Sequence, residues 1–224
     1  MNERAAPLLN REDPEREPLT GNIKVTRDDW LNSARDVLVH DGVGELKILS
    51  LSNRLGVSRS SFYWYFKDRD DLLAALLDEW EARNTRTIAE YCLHPAADIN
   101  AAVCNFFRCF IDPALFDQGL DFAVREWARR DADLRARMDS ADAARVDAVR
   151  DMFERYGFET SEADARARIL YFMQLGYHAL EVREPMDQRM GRLKAFLKGF
   201  TGVDAAPDLL TEFIACARNM EARS

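Results

Sequence analysis

Apolar residues recur along this chain at the spacing of an α-helix, and no segment alternates with the two-residue period of a strand. Capping residues, glycines and prolines divide the periodic stretches into separate helices. The first helix is expected to open at a capping box, Thr26-Arg27-Asp28-Asp29. Later helices are expected over about 70–91, 98–111, 119–129, 131–156, 161–182, 186–200 and from 207 onwards. The pattern therefore predicts an all-α fold of about nine or ten helices.

Residues 47–73 predict two short helices joined by a tight turn. Gly56 ends the first helix, because glycine commonly follows a helix C-terminus, and Ser58 is placed to cap the second. Phe62 and Phe66 fall on one side of the second helix and predict its buried face. Its other faces carry basic, hydroxyl and aromatic side chains, which suit the major groove of DNA. The segment is predicted to be a helix-turn-helix.

The alternative for this stretch is an ordinary corner between two helices of a bundle, with the aromatic residues used as core. Tyr63, Trp64 and Tyr65 argue against it. Three adjacent positions on a helix cannot all face one core. Partial core packing remains open for Tyr65 alone.

Three motifs follow one another in order and spacing: Leu55-Gly56-Val57-Ser58, Phe62-Tyr63-Trp64-Tyr65-Phe66 and Arg69-Asp70-Asp71-Leu72-Leu73. Together they resemble the DNA-binding domain of the tetracycline repressor (TetR) family. Two positions depart from that family's pattern. Leu55 replaces the usual alanine, and Lys47 stands where threonine often caps the first of the two helices, so that helix is expected to begin later, at Ser50.

The resemblance implies a division of the chain into three parts. Residues 1–22, rich in Glu, Arg and Pro, are expected to be a disordered tail. Residues 23–69 would form a three-helix DNA-binding domain, and residues 70–224 a helical domain for ligand binding and dimerisation. The partner implied is double-stranded operator DNA.

Position on the second helix separates two kinds of DNA contact. The side chains expected to reach base edges are Arg59, Ser61 and Trp64. Those expected to contact phosphates are Lys47, Ser58, Tyr63, Tyr65, Lys67 and Arg69. In the family, the residues that match Tyr63 and Arg69 commonly make such contacts.

The net charge of −8 limits the mode of DNA binding. Between residues 44 and 69 five basic residues face only two acidic ones, so a basic patch lies on an acidic body. Such a patch attracts phosphate locally, while the acidic body disfavours a general nucleic-acid coat. No apolar run is long enough to span a membrane, and a cytoplasmic location is expected.

The four cysteines and three histidines show no metal-ligand spacing. Buried, reduced thiols are the expected state of the cysteines. A redox-sensing thiol is a minor alternative. No metal and no cofactor is predicted, and the absence of an acid–base pair argues against an enzyme.

The helix over 161–182 is apolar nearly all round and must be buried on more than one side. In the family two late helices pair across a two-fold axis, and the matching segments here are 161–182 and part of 186–220. A homodimer on a near-palindromic operator is therefore expected, although a monomer with this helix covered would also satisfy the pattern. Two copies would reach successive major grooves, about 34–36 Å apart.

The family also binds small effectors in the helical body. The residues expected to line such a pocket are Trp80, Asn84, Phe106, Phe110, Trp127, Gln174, Tyr177 and His178. Aromatic walls with few polar groups suit an apolar or aromatic ligand. Gln174 and His178, four residues apart on one helix face, are the expected polar anchors. Plain core packing is the alternative for each of these residues.

The rival function is a helical adaptor that keeps the fold and binds a protein partner instead of DNA. Repression rather than activation is implied by the resemblance alone.

Overall fold

The computed structural model describes residues 25–182 and 184–221, so the predicted tail lies outside the described residues. The helices are α1 (Arg27–Asp41), α2 (Ile48–Leu55), α3 (Arg59–Phe62), α4 (Arg69–Trp80), α5 (Arg86–Leu93), α6 (Ile99–Ile111), α7 (Gln118–Ala128), α8 (Ala132–Arg155), α9 (Thr160–Ala179), α10 (Met186–Gly191), α11 (Leu193–Thr201) and α12 (Pro207–Glu221). A π-turn, Glu81–Thr85, joins α4 to α5 without a break. With α4 and α5 counted as one continuous helix, the described ranges contain eleven α-helices and no strand, which confirms the all-α prediction.

Short polar side chains fix where the helices begin. The predicted capping box is present: the Thr26 hydroxyl accepts from the Asp29 N–H at 3.2 Å, and the Asp29 carboxylate accepts from the Thr26 N–H at 2.8 Å. Each of four further helices has an aspartate in the same capping position: Asp68, Asp98, Asp117 and Asp131. Each carboxylate satisfies a backbone N–H of the first turn that has no partner within the helix.

Most helix ends lie within three residues of the prediction, and two differences have a local cause. Helix α2 begins at Ile48 and not at Ser50, because the Lys47 carbonyl accepts from the Leu51 N–H at 3.0 Å and the helix starts without a side-chain cap. The helix predicted over 186–200 is divided at Arg192 into α10 and α11. The division follows Gly191, a poor helix former.

The predicted DNA-binding segment, described from residue 25 to 69, and the body, residues 70–221, share a hydrophobic core. Trp30, Phe62 and Leu72 belong to one buried cluster, and Leu120 and Val124 of α7 belong to the same cluster. Leu134, Met138 and Ala141 of α8 complete it. Close packing supports this contact, because a Cβ added to Gly119 would lie 3.2 Å from a methyl group of Val39 on α1. The cluster therefore extends across the boundary predicted at residue 69.

A second core fills the body between α5 and α12, centred on Phe106, Val149, Phe153 and Leu170. No helix within the described residues is long and apolar enough to cross a membrane.

Candidate nucleic-acid interface and ligand cavity

The segment around α3 is held by its inward aromatic residues. Gly56 has the left-handed backbone, with φ at 67°, that turns the chain between α2 and α3. Phe62 is fully buried and meets Trp30 edge to face, with 5.3 Å between ring centroids. Phe66 is also buried, as predicted. Helix α3 is only four residues long and continues as a turn over 63–65. The buried Phe62 therefore fixes the orientation of residues 59–65, which are called the reading segment.

The outer side of this segment carries exposed basic and aromatic side chains. Tyr63 and Trp64 are 58% and 80% exposed, and Arg59 and Lys67 are exposed as well. Ser61 is half-buried. Large exposed aromatic side chains next to cations are unusual on a protein surface that has no partner. This arrangement can contact base edges and phosphates.

Two of the predicted phosphate ligands have their polar atoms engaged inside the protein. The Tyr65 hydroxyl donates to the Val25 carbonyl at 2.8 Å. The Arg69 guanidinium donates to the carbonyls of Leu46 at 2.6 Å and Val43 at 2.8 Å. These bonds tie the turn after α3 and the start of α4 to earlier parts of the chain, just before α1 and between α1 and α2.

Two more of the six predicted phosphate ligands have polar neighbours within the protein. Lys47 lies at the N-terminus of α2, and its Nζ is 3.1 Å from a carboxylate oxygen of Glu45. Ser58 occupies the N-cap position of α3, but its hydroxyl bonds the Ser60 hydroxyl at 2.7 Å instead of a backbone N–H. Their DNA contacts stay predictions.

A cavity opens in the body between α6, α9 and the last three helices. The space open to the centre of a water molecule is about 50 Å³, and all the space between the lining atoms, including that open to solvent, is about 530 Å³. The residues that line it are Phe107, Phe110, Ile111, Met173, Gln174, Tyr177, Arg189, Met190, Leu193, Phe196 and Phe213. A ligand of drug size needs about 300–1,000 Å³, so such a ligand would occupy the mouth and displace the side chains of the walls.

The cavity brings together three of the eight residues predicted to line it: Phe110, Gln174 and Tyr177. Phe106 is buried in the core next to it. His178 lies behind Gln174, with 2.8 Å between the Gln174 amide nitrogen and His178 Nε2. The His178 ring also lies 5.5 Å from the Phe110 ring, centroid to centroid. Burial lowers the pKa of His178 to about 4, so this anchor is neutral at pH 7.

Trp80, Asn84 and Trp127 do not line this cavity. Trp80 and Asn84 are fully buried in a polar cluster beneath α7. Trp127 packs against the core shared with the DNA-binding segment. The sequence reasoning missed the contributions of α10, α11 and α12, Arg189 above all. Phe196 and Phe213 were the available signals, since both are aromatic and lie on apolar helix faces.

The polar cluster beneath α7 centres on Asp121, whose side chain is wholly buried. Its carboxylate accepts from Trp80 Nε1 at 2.8 Å and Arg125 Nε at 2.9 Å, and lies 2.9 Å from Arg145 NH1. Tyr171 of α9 closes the cluster, because Arg145 NH1 lies 3.2 Å from its hydroxyl. Burial alone would raise the pKa of Asp121, but the two guanidinium groups hold it below its usual value.

The same network continues to the DNA-binding segment. Asn84, which the π-turn directs inward, bonds Asp121 at 3.4 Å and donates to the Asp117 carbonyl at 3.0 Å. The Asp117 carboxylate in turn pairs with Arg35 of α1 and with Arg83, 3.4 Å away. Contiguous hydrogen bonds and ion pairs thus run from α9, one turn from Gln174, to the first helix of the chain.

Comparison with known proteins concerns the DNA-binding segment and the fold of the chain as a whole. Residues 31–76 match the family model described as bacterial regulatory proteins, tetR family. The reduced form of NemR from E. coli has a similar fold, with a TM-score of 0.60 and 17% identity over 82% of this chain and 100% of that one. AmtR from Mycobacterium smegmatis is similar too, with a TM-score of 0.58 and 17% identity over 89% of this chain and 97% of that one. Among curated proteins, none matches the chain.

Proposed function

Since the chain belongs, through its DNA-binding domain, to the tetR family of bacterial regulatory proteins, we propose that it binds a near-palindromic operator as a homodimer and is released by a small effector. That it is a DNA-binding transcriptional regulator follows from the family itself. The finer statements rest on the surface of α3, on α9 and on the cavity. As a regulator of bacterial genes it would act in the cytoplasm, where the DNA is.

One observation carries the DNA contacts: a reading segment fixed from inside by Phe62 presents Arg59, Tyr63 and Trp64 outward. Arg59 pairs with a guanine edge, and Trp64 packs on a thymine methyl or a sugar. Tyr63 and Lys67 hold phosphates and give the complex its salt dependence. Tyr65 and Arg69 act from within, because their internal hydrogen bonds fix the geometry of the segment.

The dimer interface is proposed to lie on α9. Ile169, Phe172 and Leu180 are 60%, 48% and 78% exposed, and with Gly176 they recur at helical spacing along one face. An exposed apolar stripe of this kind marks an interaction surface. A two-fold dimer buries the stripe against its own copy and sets two reading segments side by side.

Effector control is proposed to start at the cavity. Gln174 and Tyr177 line it from α9, and Tyr171 on the same helix enters the ion-pair network that reaches Arg35. A ligand that shifts α9 would therefore change contacts that hold α1 against the body. The direction of control, repression relieved by the effector, is taken from the family.

The test of DNA binding selects duplexes from a randomised library with the full-length protein. Fluorescence anisotropy of the selected duplex then measures affinity, stoichiometry and salt dependence. We expect a near-palindromic sequence, two protomers per duplex and a steep loss of affinity with salt. Arg59→Ala and Tyr63→Ala should weaken binding, whereas Arg135→Ala, an exposed arginine on α8, should not. If no sequence is enriched, or if Arg59→Ala binds like wild type, the adaptor function replaces this proposal.

The test of the dimer compares two apolar-to-acidic changes by analytical ultracentrifugation. Phe172→Glu should give a monomer with weakened operator binding. Leu93→Glu changes a side chain that is 67% exposed but lies off the α9 stripe, and it should stay dimeric. A dimeric Phe172→Glu protein would place the interface elsewhere.

A further inference from the structure

The cavity in the body contains one charged residue among the described residues that line it, Arg189 of α10. The other lining side chains are aromatic or aliphatic, apart from the amide of Gln174 and the hydroxyl of Tyr177. The Arg189 guanidinium lies over the Tyr177 ring, 5.9 Å from its centroid. A positive charge is thus held against an aromatic wall inside an otherwise apolar cleft.

The two carboxylates nearest to Arg189 in sequence are paired with other arginines. Glu184 lies 2.7 Å from Arg192, and Asp187 lies 2.8 Å from Arg218. Arg189 makes no ion pair with any residue that the structure describes. The local charges therefore leave one guanidinium at the cavity without a counter-charge.

The imidazole behind the cavity wall adds no second positive charge. His178 is neutral at pH 7, because burial lowers its pKa to about 4. Asp121, whose charge also acts on His178, is held by Arg125 and Arg145. A ligand that enters the cavity thus meets an apolar interior and a single positive charge.

We propose that this cavity binds an organic acid with an apolar or aromatic body, and that Arg189 pairs with its carboxylate. A guanidinium donates two parallel N–H bonds to a carboxylate while its flat face stays on an aromatic ring. The apolar body lies between Phe107, Phe196 and Phe213. Met173 and Met190 line the same cavity, and their flexible thioethers let the walls adapt to it.

An acid bound at Arg189 gives the chemical class of the effector, and the regulatory consequence of its binding rests on the function proposed above. The binding site itself does not depend on that function. Binding and DNA release are therefore measured separately.

The test is isothermal titration of the full-length protein with three acids of increasing apolar size: benzoate, 2-naphthoate and decanoate. Each acid is compared with its uncharged amide, which keeps the body and removes the charge. We expect at least one acid to bind about 10- to 100-fold more tightly than its amide, the value of a charge-assisted hydrogen bond. Equal binding of acid and amide throughout the panel, or no binding of any acid, would overturn the inference.

Two variants assign the preference to one residue. Arg189→Gln should abolish the difference between acid and amide while it leaves amide binding unchanged. Lys194→Gln removes an equal charge from an exposed position on α11 that does not line the cavity, and it should keep the difference. An acid preference that survives in Arg189→Gln would locate the anion site elsewhere and refute the proposal.

Anisotropy on operator DNA separates this inference from the proposed function. Release of DNA by the bound acid, but not by its amide, supports both. Arg189-dependent binding of the acid without release supports the site and contradicts its role as an effector site.

Discussion

Replacing Asp121 by Asn should lower the free energy of unfolding by about 3–5 kcal/mol, the cost of breaking a buried ion pair from one side. The Asp121 and Arg145 side chains are both wholly buried, 2.9 Å apart. The substitution keeps the shape of the side chain and removes the charge. Arg145 then keeps a buried positive charge whose next carboxylate, Asp142, is 3.8 Å away. The loss is a large part of the 5–15 kcal/mol that is typical of a whole domain.

The assay is urea unfolding followed by tryptophan fluorescence, at one fixed protomer concentration because a dimer gains stability with concentration. In a thermal melt of the same variant, the melting temperature should fall by about 6–20 °C for a chain of this size. Asp139→Asn is the matched control, since Asp139 lies 2.9 Å from Arg135 on an exposed face of α8. An exposed pair contributes at most about 1 kcal/mol. Equal unfolding free energies for the two variants would refute the reasoning.

The pH dependence gives a second check on Asp121. Its pKa is lowered in the folded state, so the unfolded state takes up a proton first as the pH falls. The stabilisation is therefore complete above about pH 4, the usual value for an aspartate, and is lost in more acidic solution. Asp121→Asn should flatten this acid limb of the stability curve. An unchanged limb would show that Asp121 does not carry it.

Three further predictions concern single side chains. Burial lowers the pKa of His178 to about 4, so the unfolded state takes up a proton first as the pH falls. The free energy of unfolding of the wild type should therefore fall by up to about 3 kcal/mol between pH 6.5 and 4. Urea unfolding at pH 7 and 4.5 should show a smaller fall for His178→Gln, and an equal fall would contradict the assignment. Arg69→Met removes two hydrogen bonds to backbone carbonyls and should cost about 1–3 kcal/mol in the same assay, whereas wild-type stability would mean that these bonds do not hold the DNA-binding segment. Burial raises the pKa of Cys92 and Cys104 to about 12, so iodoacetamide should label the partly exposed Cys216 first. Mass spectrometry identifies the labelled cysteine, and early labelling of Cys92 would contradict the buried placement.

Local features of the sequence were enough to predict most of the fold. Thr26 and Asp29 are three residues apart, and Gly56 follows an apolar period directly, so their roles depend only on neighbours in the chain. The buried face of α3 followed in the same way from Phe62 and Phe66. What acts within one or two turns of helix can be read from spacing.

The interior of the body depends on pairs that are distant in sequence and was not predictable. Trp80 and Asp121 are 41 positions apart, and nothing in the spacing of either indicates the other. The π-turn that directs Asn84 inward leaves no periodic signal. The aromatic residues therefore indicated a pocket. Whether a given residue lines the pocket or joins the polar cluster depends on side chains of other helices, which its own spacing does not indicate.

The core shared by α1, α3, α7 and α8 limits how this protein can be recombined. Leu120 and Val124 close the hydrophobic cluster that includes Trp30 and Phe62. A DNA-binding segment exchanged for that of a relative would meet the wrong surface on α7, and the segment produced alone would expose this core to water. New DNA specificity is therefore better engineered at the outward positions of α3, such as Arg59 and Trp64, than by transplanting the segment as a unit.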